Sequence, residues 1–543
     1  MSRPASSESF YSALSDHGMA DEEAISTPHC HIFFDEQLYL SALTLLSDLV
    51  TAGTSHPDYP NLPTIAPLPF HIELVSCLLV HPRWTTQANP SEQNTLQARA
   101  ITLLRNILVT LGPLNARLNE AFSFAHTYNA RPKRRGRTFD RDDGVSGSDE
   151  ENAENMRGVI ANEGRLRRCA SDFWHALGWA FNCSVRYPKR WKCWKIWLDY
   201  LLDVLDDDWK ERARLDEEVH RSQPQASETQ ANHKMLKDCL LLRYLSDVKG
   251  QSSAVRRIAK AIFADGSSDS LREFPEIFKN ETRELKIENA QKRKRADTTK
   301  ERAFGGYDEE IAEEDLHSPD FGMSEDEDEA STKDDVYLGG VESTLLRQRI
   351  FALLSRASAE FPDEFVDIVD LYEAIYLCMR PLSIPSFMLF LAPSQSSYIP
   401  EVAQVSLTQF FLRRMISNAA PHPTSIRERN SDEFDLNILE KCFFPFAALT
   451  TSVNENAKVS IMIEVLFRIF LKSCDYGYSR ELEPAVDKGI KAREAMIKSN
   501  KRKKSTSAKQ KVEAAEQLLL KASGVRLRNM VSFVKHQKSK DAA

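Results

Sequence analysis

Glycine is scarce in this sequence, with only 19 residues among 543. Large β folds and doubly wound α/β folds use glycine in many turns, because glycine adopts backbone conformations that other residues avoid. Its scarcity therefore favours helices. A chain of this length also exceeds what one hydrophobic core usually organises, so we expect roughly two or three helical units.

Paired cysteines are absent as well. The nine cysteines are scattered along the chain, their count is odd, and no CxxC pair occurs. A disulfide framework or a zinc site would need paired thiols at regular spacing. Most of these cysteines lie within apolar helical patterns, which predicts reduced thiols in a protein core. We therefore expect a soluble, intracellular protein.

The sequence also lacks a long apolar run. Its most apolar stretch, Val459 to Leu471, carries charged side chains and is too short to cross a bilayer. The first 27 residues are rich in serine and acidic residues, without the basic start and apolar centre of a secretory signal. We expect a protein that neither is secreted nor spans a membrane.

Recognisable catalytic motifs are missing. The chain contains no phosphate-binding GxxxxGK[ST] loop, no nucleophile elbow GxSxG, no zinc-binding HExxH and no kinase signature. The one tight cluster of metal-ligand residue types, His29-Cys30-His31, has no second pair at a familiar spacing. We interpret it as an ordinary segment that enters the core. We predict no catalytic residue, no cofactor and no metal site.

Helical periodicity is what the sequence does contain. Apolar residues recur at three- and four-residue steps in one segment after another. The clearest stripe follows Pro188, where Trp191, Trp194 and Leu198 lead on to Leu205. This pattern indicates an all-α, irregular multi-helical fold, either a HEAT/TPR-like solenoid or helical bundles. No fixed repeat persists along the chain.

Several segments carry start and stop signals for helices. Asn89 to Glu92 combine an N-cap residue, a first-turn proline and an acidic residue, which predicts a helix start, and Gly112 predicts its end. Glu273 to Arg295 is predicted to be a charged, exposed helix. A further helix is predicted near the end of the sequence, with Gly524 as its stop signal.

Six of the seven tryptophans lie between Trp174 and Trp209. Basic residues such as Arg190 interleave with them, which would suit a single-stranded nucleic acid held by stacking and by cations. The spacing is nevertheless that of a buried helical stripe. Five aspartates follow at once and would repel a phosphate backbone. We therefore predict that this cluster is core packing.

Charge is distributed unevenly along the chain. The net charge is −8, yet residues 488–543 contain 16 Lys and Arg against 4 Asp and Glu. An acidic body therefore precedes a basic tail. Residues 301–335 contain 15 acidic residues and only two basic ones. So polar a segment cannot bury enough apolar surface to offset the entropy of ordering, which predicts disorder.

These shifts in composition divide the chain into seven segments, which alternate between helical and polar character. The predicted segments are a disordered N-terminus (1–27), helical unit 1 (28–124), a disordered basic and acidic linker (125–163), the Trp-rich helical unit 2 (164–300), an acidic disordered linker (301–335), helical unit 3 (336–487) and a basic tail with a helix (488–543).

Three short basic clusters occur in the chain. Import receptors bind such runs through acidic grooves, and nucleic acids bind them too. Three clusters beside acidic stretches predict a nuclear protein. The candidate residues are Arg131, Lys133, Arg134, Arg135, Arg137, Lys292, Arg293, Lys294, Arg295, Lys501, Arg502, Lys503 and Lys504.

Four serines precede an acidic residue at the third position or a proline at the next. A phosphate added there would deepen the acidic patches, so it would attract or release a basic partner. The candidate phosphorylation sites are Ser146, Ser148, Ser318 and Ser324.

The sequence as a whole predicts a non-enzymatic, chromatin-associated scaffold whose partners are other proteins of a nuclear complex. Chromosome maintenance, transcription and ribosome assembly are the processes such a composition suits. The alternative is a protein that binds nucleic acid directly through its basic tail. An enzyme whose catalytic residues meet only in space is the third possibility. The oligomeric state stays open.

Overall fold

The structure is a computed structural model that is predominantly helical. Its described part contains no β-strand, only an isolated antiparallel bridge between Ile416 and Ala448, so the all-α prediction is confirmed. None of the described helices combines the length and the apolar character that a membrane span requires. The described residues are 29–55, 64–124, 158–161, 164–222, 233–247, 253–283, 338–391, 398–426, 434–472, 479–498 and 507–541.

The described chain begins in a short helical segment, residues 29–35, and four further α-helices belong to its N-terminal part. They are α1 (Tyr39–Ser55), α2 (Pro69–Val80), α3 (Pro90–Asn115) and α4 (Leu118–Ala121). Residues 71–80 of α2 are all buried, because α3 and α4 pack on it and a later helix closes its remaining side. The amphipathic helices α1 and α3 pack on each other.

The helix α3 begins at Pro90, as predicted. Proline suits the first helical position because its missing N–H has no partner to lose there, although the Asn89 side chain makes no capping hydrogen bond. The predicted stop at Gly112 is a kink, with φ 73° and ψ 172°, beyond which the helix continues to Asn115. The apolar stripe that starts at Leu96 is buried.

Seven helices follow in the tryptophan-rich part. They are α5 (Leu166–Cys169), α6 (Phe173–Arg186), α7 (Pro188–Ser222), α8 (Lys234–Lys237), α9 (Leu240–Ser246), α10 (Ala254–Ile262) and α11 (Ser268–Glu273). The 35-residue α7 contacts α2, α3, α6, α8 and α9, so it is the spine of the fold. Its residues Trp191, Trp194 and Trp197 are buried, which confirms that the tryptophans are core packing.

The predicted helix from Glu273 to Arg295 is wrong over its described part. Only its first residue is helical, since α11 ends there and residues 274–283 form turns. Pro275 lacks an N–H and pushes the preceding residue away from the helical conformation, so the helix cannot continue. Glu281 is buried, where it accepts a hydrogen bond from Arg190 Nε at 2.9 Å.

Eight helices form the C-terminal part. They are α12 (Gly340–Glu360), α13 (Ile368–Met379), α14 (Ile384–Leu391), α15 (Glu401–Met415), α16 (Leu436–Ile438, followed by a π-helical turn, Leu439–Phe443), α17 (Val453–Lys472), α18 (Leu482–Lys498) and α19 (Ser507–Asp541). The helices α14, α15, α18 and α19 surround α17. The stripe of α17 that contains Val459, Met462 and Leu466 is buried.

One hydrophobic core runs through all three sets of helices. The sequence left open whether the helical units pack together. In the structure α12 packs on α7 and α13 packs on α10, so the C-terminal helices rest directly on the tryptophan-rich ones. The buried apolar residues form a continuous cluster from Cys30 to Val534. A smaller cluster lies where α14, α17, α18 and α19 meet.

The prediction that Gly524 stops a helix is wrong, because Gly524 lies within α19. A Cβ atom at this position would lie 3.3 Å from Ile490 Cγ2 of α18. The missing side chain therefore lets two helices approach closely. Arg526 Nε lies 2.7 Å from Glu464 Oε1, and Arg528 Nε lies 2.9 Å from Asp487 Oδ1. Part of the tail's positive charge is thus neutralised within the fold.

Buried cations close the C-terminal ends of helices. Arg190 of α7 donates to the carbonyl of Val80, the last residue of α2. Arg347 of α12 donates to the carbonyls of Ile262, at the end of α10, and Ala264. Such carbonyls have no partner within their own helix and carry partial negative charge. Burial lowers the pKa of Arg347 to about 9.

The same arrangement recurs in the C-terminal part. The Lys458 ammonium of α17 lies 2.7 Å from the carbonyl oxygen of Arg380 and 2.6 Å from that of Leu382, just beyond α13. Arg493 of α18 donates to the carbonyl oxygen of Phe446 at 2.9 Å, just beyond the π-helical turn. Burial lowers the pKa of Lys458 to about 8 and that of Arg493 to about 10.

The glycines of α18 and α19 provide a matched test of this packing. A Cβ atom at Gly489 would overlap the Phe444 carbonyl oxygen, which is backbone and cannot move aside. We expect Gly489→Ala to lower the free energy of unfolding by about 1–3 kcal/mol, despite the better helix propensity of alanine. Urea unfolding measures this change.

The control is Gly524→Ala, whose new methyl group would lie 3.3 Å from Ile490 Cγ2, a side-chain atom that needs to shift by only a few tenths of an ångström. We expect it to remain within about 1 kcal/mol of the wild type, because the gain in helix propensity offsets the tight contact. Equal stability of the two variants would contradict the close approach of α18 to the π-helical turn.

Candidate functional site

The residues predicted from sequence as binding or modification sites lie outside the described residues. This holds for the three basic clusters, Arg131 to Arg137, Lys292 to Arg295 and Lys501 to Lys504, and for all four candidate serines. The predicted disordered segments 1–27 and 301–335 also lie outside the described residues, as does most of 125–163.

The segment His29-Cys30-His31 enters the core, as predicted. Cys30 is buried, and burial raises the pKa of its thiol to about 11. The His31 ring packs edge-on against the His71 ring, with 4.9 Å between centroids. Burial lowers the pKa of His71 to about 3, so this ring is neutral. Among the described residues no three His, Cys, Asp or Glu side chains are placed to hold a metal ion.

A groove lies where α3, α7 and α12 meet, and we refer to it as the α3–α7–α12 groove. Its volume is about 550 Å³, and Tyr398 closes one side. It lies at the junction of the N-terminal, tryptophan-rich and C-terminal helices. Its lining residues are Arg105, Leu108, Val109, Asp203, Asp206, Asp207, Lys210, Arg349, Ala352, Arg356 and Tyr398.

The floor of the groove is an ion cluster centred on Arg349. Its guanidinium lies 3.0 Å from an oxygen of Asp199, 2.7 Å from one of Asp203 and 3.3 Å from one of Asp206. The three aspartates are spaced i, i+4 and i+7 on α7, so they share one face of the helix. Arg349 on α12 is almost fully buried and holds them together.

Burial and ion pairing compete in this cluster. Burial raises the pKa of Asp203 above its ordinary value, and the hydrogen bond and charge of Arg349 only partly offset that rise. Burial acts to lower the pKa of Arg349, but the hydrogen bond and charge of Asp203 outweigh it and raise that pKa. The guanidinium therefore stays charged and keeps its attraction for the aspartates.

The rim charges of the groove are more loosely paired. Arg105 lies 3.5 Å from Asp199, and Arg356 lies 3.9 Å from Asp206. Lys210 lies 3.2 Å from Asp207 on the same helix. The exposed pairs of Arg105 and Lys210 contribute only about 0–1 kcal/mol each. These two cations can therefore exchange their present partners for charged groups of a ligand at little cost, whereas the pair of Arg356 and Asp206 is half-buried.

Two exposed apolar side chains stand beside these charges. Val109 of α3 is 85% exposed and Tyr398 is 50% exposed. The Arg349 guanidinium carbon lies 5.2 Å from the Tyr398 ring centroid, a cation–π contact that fixes the base of the ring. The groove thus offers an apolar wall, an aromatic ring and a charged rim.

The lining carries charged and aromatic side chains that can contact a ligand. It includes Lys210, Asp203 and Tyr398 but no Ser, Cys or His. Asp203, the lining carboxylate with a raised pKa, is already bound by Arg349. The arrangement can hold a side chain against Val109 and Tyr398 and pair charges at the rim.

This groove was not predicted from the sequence, in which the aspartates of α7 were interpreted only as a source of phosphate repulsion. Their i, i+4, i+7 spacing on one helix face was the available signal, but their partner Arg349 lies some 150 positions further along the chain. No protein-family model matches this chain, and no curated protein matches it.

The ion cluster makes a prediction about stability. We expect Arg349→Ala to lower the free energy of unfolding by about 1–3 kcal/mol at neutral pH, because three aspartates on one helix face lose their shared cation. Arg214→Ala is the control. Arg214 is exposed, and among the described residues it pairs with Glu211 and Glu218 of its own helix alone, so its loss should not change the unfolding midpoint.

The pH dependence of the destabilisation by Arg349→Ala distinguishes a loss of ion pairing from a simple loss of packing. Without Arg349 the pKa of Asp203 rises further above its value in the unfolded chain, so the folded variant takes up protons more readily. The deficit of Arg349→Ala relative to the wild type should therefore shrink as the pH is lowered from neutral. A deficit that is the same at every pH would contradict the electrostatic role.

Proposed function

We propose that this protein is a non-enzymatic interaction scaffold that binds other proteins through its helical surface. The observation that carries the proposal is the α3–α7–α12 groove, where the exposed Val109 and Tyr398 stand over a floor fixed by Arg349. Protein interfaces combine an apolar centre, aromatic and arginine residues and a polar rim in this way. Because the floor is rigid, a partner would meet a preformed site.

The proposal includes the finer architecture. We propose an irregular solenoid of the HEAT/TPR-like kind or a set of helical bundles, with acidic disordered linkers and a basic tail. Consecutive helices such as α2 and α3, or α6 and α7, pack on each other, which is how helical repeats build extended surfaces. Flexible charged linkers would let partners be bound or released by modification, at Ser146 or Ser324 for example.

We further propose that the scaffold works in the nucleus, as a subunit of a complex in chromosome maintenance, transcription or ribosome assembly. The support is the sequence alone: three basic clusters, such as Lys501 to Lys504, beside strongly acidic stretches. Import receptors bind clusters of this kind.

Direct binding of nucleic acid through the basic tail is the second candidate function. The excess of basic residues in 488–543 favours it. Three cations of the tail already form ion pairs within the fold, which argues against this candidate. Arg526 pairs with Glu464, Arg528 with Asp487 and Lys535 with Glu483. Fewer cations are then available to phosphates than the count suggests.

The groove can be tested with one exposed side chain. We expect Val109→Asp to weaken binding of a groove partner at least about tenfold, which corresponds to about 1.4 kcal/mol, because the variant places a charge on the apolar wall. Val369→Asp is the control, since Val369 is exposed on α13 and outside the groove lining. The measurement is quantitative mass spectrometry of proteins that copurify with the tagged full chain from nuclease-treated nuclear extract. A partner set that is identical for both variants would contradict the role of the groove.

The two candidate functions predict different effects of neutralising the tail. For a protein scaffold, replacing Lys501, Arg502, Lys503 and Lys504 by Gln should leave the nuclease-resistant partners bound to the purified full chain. For a nucleic-acid binder, the same change should flatten the dependence of affinity on salt concentration, because fewer counterions are released. Binding to a labelled single strand and to a duplex, measured at several salt concentrations, gives this slope. A steep slope that the variant loses, together with partners that vanish on nuclease treatment, would favour the second candidate.

A further inference from the structure

The helix α19 has two different faces. Its inner face packs on α17 and α18 through Leu520, Leu527 and Val531, all buried. Its outer face carries Leu518, which is 67% exposed, and Val525, which is 53% exposed. The inner face already holds the helix to the fold, so the outer apolar residues do nothing for that contact.

The outer apolar residues follow the spacing of a seam between helices. Ala515, Leu518, Ala522 and Val525 are separated by three, four and three positions, so they form one stripe along the helix. Small and large residues alternate in this stripe. The alanines allow a second helix to approach closely, and Leu518 and Val525 would fill the spaces between its side chains.

The charges beside this stripe are positive and available. Lys511 and Lys521 are exposed on the same side as Leu518, and neither forms an ion pair with another described residue. The nearby carboxylate of Glu516 lies towards the inner face, where it accepts a hydrogen bond from Asn454 at 2.6 Å. The outer face therefore combines an apolar seam with unpaired cations.

The first turns of α19 stand clear of the other described helices. Residues 510–515 are all exposed, so no face of these turns is packed in the described part of the chain. Exposed helical turns gain little stability from packing and rely on the intrinsic propensity of their residues. A helix laid along the outer face would bury these turns as well as the seam.

We propose that the outer face of α19 binds an acidic amphipathic helix of a partner protein. Apolar residues of that helix would pack against Leu518 and Val525, and its Asp or Glu residues would pair with Lys511 and Lys521. Nucleic acid fits less well, because phosphates gain nothing from an apolar seam. A membrane surface fits less well too, because the stripe is narrow and half of it is alanine. This surface is separate from the α3–α7–α12 groove, so either can fail without the other.

The test places a photo-crosslinking amino acid in the full-length chain in its natural cells. It replaces Leu518 in one variant and Val525 in another, and it replaces the exposed Val369 of α13 in the control. We expect both α19 positions to crosslink to one segment of one partner, a segment with helical apolar spacing and flanking Asp or Glu. Adducts with lipid, with nucleic acid or with a second copy of this chain would overturn the proposal. So would unrelated proteins at the two positions, or no adduct beyond that of the control.

Affinity for the crosslinked segment, made as a synthetic peptide, then tests the two parts of the contact. We expect Lys521→Glu to weaken binding at least fivefold and Leu518→Asp at least tenfold, with Val369→Asp unchanged. Reversing the peptide's acidic residues to lysine should restore binding to Lys521→Glu. Circular dichroism confirms that each variant is folded, since the altered side chains are exposed. Unchanged affinity in both α19 variants would overturn the proposal, whereas loss of partners in Val109→Asp alone concerns only the groove.

Discussion

Short helices that end inside a core leave backbone carbonyl groups without partners, and this constraint shapes the whole fold. Long polar side chains from neighbouring helices donate hydrogen bonds to these carbonyl groups. Arg190, Arg347, Lys458 and Arg493 each reach a helix end elsewhere in the chain, and Gln404 does the same for the last carbonyl of α14. The positive charge of the three arginines and the lysine suits the partial negative charge at a helix C-terminus. These four contacts join segments distant in sequence, so the continuous core is also connected by polar contacts.

Aspartates of the spine helix α7 bind the N–H groups that lack partners at the N-termini of neighbouring helices. Asp216 accepts hydrogen bonds from the N–H groups of Met235 and Leu236 in the first turn of α8, and Asp208 accepts one from the first N–H group of α9. Three other aspartates on α7 bind Arg349 of α12. The α3–α7–α12 groove lies over this ion cluster, so a buried, charged floor stands beneath rim charges that are more loosely paired.

Local periodicity made the helical class, the start of α7 and the burial of its tryptophans predictable, because these features depend on residues three and four apart. The buried cations were not predictable. Arg347 and Lys458 bind backbone carbonyls, which every residue possesses, so no partner residue type marks the contact in the sequence. Gly524 resembles a glycine that ends a helix, and its actual role, to let α18 approach α19 closely, depends on a contact that the local sequence does not reveal. The groove depends on Arg349 meeting aspartates far away in sequence, and no local pattern encodes that meeting.

The cysteines have a practical consequence beyond packing. Burial raises the pKa of Cys30 and Cys442 to about 11 and that of Cys239 and Cys378 to about 12. At neutral pH these thiols are protonated. Cys30, Cys239 and Cys442 are also buried, so a thiol-specific reagent reaches these three only when their surroundings open. The three lie in different parts of the chain, from the segment before α1 to the π-helical turn. Their individual modification rates would therefore chart how the resistance to opening varies along the molecule.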